Sequence, residues 1–143
     1  MFREMIKWFE EHSKISWIIT IIIAIVIFYV SSLILPTGKA TFPWKSLAYH
    51  FYAFLFLSIF LLISLTKGKN KNLILVSIIF TIIYAISDEI HQLFVPSRTF
   101  TVSDILTDSA GILFAVLLYS LLRYDKFKNN KEKKLGEEHK VYS

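Results

Sequence analysis

Four carboxylates, Asp88, Glu89, Asp104 and Asp108, gather with His91, Gln92 and Arg98 where two apolar segments of the chain meet. His50 interrupts an earlier apolar run about one turn inside its start. Ionisable side chains at membrane depth are expensive to keep, which makes them functional candidates by default. Two carboxylates on one helical face in a low dielectric cannot both ionise cheaply, the arrangement that general acid/base catalysis uses. Glu89, Asp104 and Asp108 are therefore the candidate acid, base or nucleophile, with His50 or His91 moving the proton. Arg98 follows Pro96 near the start of a helix, where a guanidinium beside free backbone N–H groups suits a phosphate or carboxylate. Gln92, His91 and Asp88 complete the candidate substrate-binding set. The plainer alternative has Arg98 pairing with Glu89 or Asp104 and simply holding the hairpin shut.

The elements that must position these groups are apolar. The chain has 143 residues, 55% of them hydrophobic, with a mean hydropathy of +0.54. That exceeds what a soluble core of this size needs. The pattern predicts an all-α integral membrane bundle of four transmembrane helices near 15–35, 46–66, 73–94 and 103–122. The uncharged run 15–35, about 21 residues at 1.5 Å each, spans a hydrocarbon core of about 30 Å. Before it, Phe2, Met5, Ile6 and Phe9 share one face of a short N-terminal interfacial helix, with Trp8 as its anchor. Pro36, Gly38 and Pro43 punctuate the first link, and 67–72 form a short basic second link. Residues 1–122 read as the transmembrane domain, and 123–143 as a basic cytoplasmic tail of frayed helix passing into disorder.

Sixteen Lys and Arg against eleven Asp and Glu give a formal net charge of +5. The basic residues lie between and after the apolar segments and form no groove-binding motif, so nucleic acid is not a partner. They cluster before the first span, in the 67–72 link and after Leu122, which places both termini in the cytoplasm by the positive-inside rule. His50, Asp88–Gln92, Arg98, Asp104 and Asp108 then share the extracytoplasmic end of the bundle. Tyr84, Asp88, His91 and Gln92 lie on one stripe of the third span with Glu89 at its flank; Asp104, Thr107, Asp108, Gly111 and Ala115 form the matching stripe of the fourth. Lipid would not tolerate these two faces, so the third and fourth spans should turn them toward each other, with Gly111 and Ala115 permitting close approach below the acids and Asp108 about 6 Å deeper than Asp104. There is no cysteine, which excludes disulfides and thiolate chemistry. A divalent metal held by Asp104, Asp108, Glu89 and His91 is a further alternative that these residue types leave open, although their spacing matches no metal-ligand signature, and the cofactor is unassigned.

The run from Ser87 to Arg98, Ser-Asp-Glu-Ile-His-Gln-Leu-Phe-Val-Pro-Ser-Arg, followed by Asp104, Asp108 and Gly111, resembles the signature of the VanZ-like family. These are small multi-helix membrane proteins named for a factor linked to teicoplanin resistance. The family's motif positions correspond to Glu89, Gln92, Arg98, Asp104, Asp108 and Gly111. Lys45, His50-Phe51 and Phe54 look like a second family element, although the Lys-to-His spacing is longer and Phe54 stands in place of the usual Tyr. The resemblance implies an outward-facing polar site that meets cell-envelope or lipid-linked material.

Two functions fit these residues. One is a pocket that binds, and hydrolyses or transfers, an amphiphilic anionic substrate, a membrane lipid or lipid-linked envelope precursor. Phosphate-ester chemistry usually draws on more cations than Arg98, so the residues leave open whether the ligand is turned over or only bound. The other is a non-catalytic protein that shields against lipoglycopeptide-type antibiotics. A conduit through the membrane does not fit, because the inner halves of the third and fourth spans are apolar.

Overall fold

The computed structural model describes residues 1–34, 43–96, 98 and 101–141. Among them are five helices: α1 (Phe2–Glu11), α2 (Ser13–Ser31), α3 (Pro43–Thr66), α4 (Leu73–Gln92) and α5 (Val102–Val141). Four are long and apolar enough to cross a membrane, over Ser13–Ser31, Trp44–Thr66, Leu73–Gln92 and Val102–Asn129. Their outward faces carry large exposed side chains such as Ile18, Ile25, Phe80, Leu113 and Leu117, as lipid contact requires. Their inward seams are lined by small hydroxyl residues, among them Ser16, Thr20, Ser58, Ser64, Ser77 and Thr81. Small side chains let helix backbones approach where no hydrophobic effect drives association.

Local chemistry sets the helix ends. α2 stops at Ser31, short of residue 35, which lies outside the described residues together with the Pro36–Lys39 break. The Ser32 hydroxyl takes the Phe28 carbonyl at 2.7 Å, and Arg98 takes the carbonyls of Val30 and Leu33 at 2.9 and 3.4 Å. The Val30 carbonyl, which would accept from residue 34 if the ladder continued, is thus taken by Arg98 and by the Leu33 N–H at 3.1 Å. Pro43 opens α3 three positions earlier than expected, at the helix start where its missing N–H goes unused. The turn into α4 passes through Lys67 and Gly68 with φ of 49° and 62°, a left-handed step that glycine takes without strain. The Thr101 hydroxyl accepts the Asp104 N–H at 3.3 Å and caps α5. α5 then continues as helix to Val141, well past the end of the apolar run, where fraying had been expected.

The close approach at Gly111 is made to α3 rather than to α4. A Cβ at Gly111 would run into the Phe51 carbonyl oxygen, with the Leu55 amide nitrogen at 3.1 Å. Backbone atoms cannot yield as a side chain can. Gly111→Ala is therefore expected to destabilise the bundle by about 1–3 kcal/mol, the usual cost of overpacking. A thermal melt of the detergent-solubilised variant reads this, and an unchanged melting temperature would mean that α3 and α5 do not meet there.

α1 packs back onto α3 and α5: Phe9 meets Phe60 edge-on at 5.3 Å, and both Ile6 and Phe9 pack on the cluster of Leu62, Ile63 and Tyr119. Its polar face is not wholly solvated. Glu10 is 5% exposed and accepts hydrogen bonds from Tyr119 at 2.8 Å, from Lys126 at 3.0 Å and from Arg123. Thr66 shares a hydrogen bond with Tyr119, and Gly68 lies against the Glu10 carboxylate. The far end of the bundle is thus closed by a buried, charge-paired knot.

Candidate functional site

The opposite end of the bundle holds the polar residues singled out from the sequence. α3 contributes His50, α4 contributes Asp88, Glu89 and Gln92, and α5 contributes Asp104 and Asp108; all six are buried. His50 is the hinge of the group. Its Nδ1 lies 2.9 Å from Asp108 Oδ1, and its Nε2 faces Asp104 Oδ2 across 3.9 Å. With the carboxylate as acceptor, Nδ1 carries the hydrogen and Nε2 is turned toward Asp104, the orienting arrangement that a carboxylate gives an imidazole. Asp108 has no exposed surface, and its Oδ2 is buried without a hydrogen-bond partner.

Glu89 is likewise fully buried, and its own bonds are long. It accepts from Gln92 Nε2 at 3.4 Å and from the Thr101 N–H at 3.5 Å. His50, Glu89 and Asp104 each offer a ligand atom, and the three atoms lie within 4.8 Å of one another. Asp104, 9% exposed, stands nearest the surface. It also lies in the first turn of α5, where the helix dipole favours negative charge.

The stripe expected on α4 divides between two neighbours. Its centre faces α2: Asp88 accepts from the Ser31 hydroxyl at 2.9 Å, His91 Nε2 lies 2.9 Å from the Ser32 hydroxyl, and Tyr84 donates to the Ala24 carbonyl at 2.6 Å. The His91 ring also packs on Phe28 at 4.5 Å. Glu89, at the flank, is the residue turned toward His50 and Asp104. Gln92 bridges the two faces, donating to Asp88 at 3.1 Å as well as to Glu89. So the structure brings together His50, Glu89, Gln92, Asp104 and Asp108, joins Asp88 to them through Gln92, and sets His91 apart at the α2 seam.

Arg98 makes a contact that neither sequence reading named. Its guanidinium donates to backbone carbonyls at the end of α2, where the helix dipole favours a cation. That end of α2, with Ser31 and Ser32, is the contribution that sequence reasoning missed; serines in an apolar run carry little signal unless they are paired with the acids on α4. The alternative metal set with His91 is replaced by one with His50, with Asp108 behind the imidazole.

Long apolar helices around a buried histidine–carboxylate cluster define a multi-pass membrane protein with a polar site at one end. Within that class the chain belongs to the VanZ/LLP1 family, whose model matches residues 2–123. The match runs from α1 through Arg123, so it takes in the polar site and all of the Glu10 knot but Lys126. No curated protein and no solved structure matches the chain.

Proposed function

We propose that this VanZ-family protein binds the polar head of an amphiphilic, anionic lipid-linked or cell-envelope substrate on the extracytoplasmic side, and hydrolyses or transfers it. The observation that carries the reading is the buried His50–Asp108 pair with Asp104 and Glu89 beside it. A carboxylate-oriented imidazole flanked by further carboxylates is equipped to take a proton from a nucleophile and return one to a leaving group. His50 serves as the proton carrier, Asp108 orients it, and Asp104 and Glu89 stand as acid and nucleophile candidates. Arg98 holds anionic charge at the rim with the donors not spent on α2, and the lipid tail remains among the spans.

The distribution of charge supports the side. Glu10 touches Gly68, Arg123 and Lys126, so the N-terminal segment, the 67–72 link and the tail gather at the end away from the polar site. These are the Lys- and Arg-rich segments, and the cytoplasmic face collects them.

Mass spectrometry of lipids retained by the detergent-purified protein tests the proposal. Wild-type protein is expected to retain a headgroup-bearing lipid that His50→Ala loses or depletes at least tenfold. Identical lipid profiles for the two proteins would overturn it.

A further inference from the structure

We infer that His50, Glu89 and Asp104 form a site for a first-row divalent cation, Zn2+ or Mn2+, with Asp108 as the group that orients the histidine. Three helices each supply one ligand, and the candidate ligand atoms lie within 4.8 Å of one another. Bonds of about 2.0–2.2 Å hold neighbouring ligands about 3–4 Å apart, so side-chain shifts of under about an ångström close the set around an ion. The gap of 3.9 Å between His50 Nε2 and Asp104 Oδ2 is too long for a hydrogen bond and suits an atom between them.

The surroundings are those of a metal ligand. A metal-bound histidine usually donates its other ring N–H to a carboxylate, which fixes the ring and raises its basicity. His50 does this through Nδ1 to Asp108 at 2.9 Å. A second, independent observation is the unsatisfied polarity of Glu89, a ligand of the set with no exposed surface, to which the uncompensated Asp108 Oδ2 behind the imidazole adds. The two hydrogen bonds to Glu89, at 3.4 and 3.5 Å, sit at the limit of such bonds. A divalent charge among these carboxylates supplies what one imidazole cannot. The ligand set also narrows the ion, since an imidazole nitrogen disfavours Mg2+ and Ca2+ while the two carboxylates admit Mn2+ as well as Zn2+.

A cation bound here takes His50, Glu89 and Asp104 as ligands in place of the proton-transfer roles proposed above for the metal-free site, and makes the acidic pocket hospitable to the same anionic headgroup; the site is tested without any substrate. Mn2+ is titrated into the detergent-solubilised full chain and followed by electron paramagnetic resonance. Wild-type protein is expected to bind one Mn2+ with the nitrogen modulation of a coordinated imidazole. Asp104→Asn should lose at least tenfold in affinity, and His50→Gln should lose the nitrogen signal. Asp108→Asn should weaken binding about 10–100-fold through the basicity that its charge lends the imidazole. Melting curves without metal identify the folded variants, and Glu89→Gln replaces any that does not fold. Absence of binding with Mn2+ in large excess, binding without a nitrogen signal, or equal affinity in folded Asp104→Asn would each overturn the assignment.

Discussion

Glu10→Ala is expected to destabilise the folded bundle by about 3–5 kcal/mol, the cost of leaving a buried charge without its partner. The carboxylate holds Arg123, which is 7% exposed and whose Nε is already buried without a hydrogen bond. Removing it also costs the Tyr119 hydroxyl one of its hydrogen bonds and breaks two of the three ion pairs that tie α1 to α5 among the described residues; the third, Arg3 to Asp125 at 3.1 Å, is exposed and contributes little. The combined change Glu10→Leu with Arg123→Met should recover most of the loss, because an apolar pair of similar size avoids the desolvation of both charges. Melting of the two variants in detergent decides the matter: if Glu10→Ala melts with the wild type, α1 is not docked on the bundle.

Asp108→Asn has the second large expected effect, and it separates catalysis from shielding. The amide keeps an oxygen for His50 Nδ1, so the ring stays in place while the negative charge that would stabilise an imidazolium is lost. If the site turns its ligand over, the rate should fall by about 10²–10⁴-fold, the usual contribution of general acid/base catalysis, with little change in melting. The measurement is the time course of conversion of the retained lipid in membranes bearing either protein. Equal rates would assign the carboxylates to shape and pairing alone.

The sequence was most informative where residue type and depth agreed. Uncharged runs announced the spans, and the conjunction of His50, Glu89, Asp104 and Asp108 at one depth announced a common end for α3, α4 and α5. Rotation about each helix was harder to read. Asp88 and His91 lie on the same turns as Glu89, and nothing in their spacing says that they serve serines on α2 while Glu89 serves the cluster. Gly111 marked a close approach without naming the partner, because a missing Cβ carries no address. Glu10 was hidden by its setting, since an acid on an amphipathic surface helix is ordinarily solvated. The available clue was Tyr119, Arg123 and Lys126, spaced to share one face of a helix that hydropathy had already ended near Leu122.

As one uninterrupted rod, α5 carries Asp104 and Asp108 at one membrane surface and Tyr119, Arg123 and Lys126 at the other. A continuous helix of this kind passes tilt and rotation along its length, which makes the two polar clusters, about twenty residues apart, the two arms of one lever.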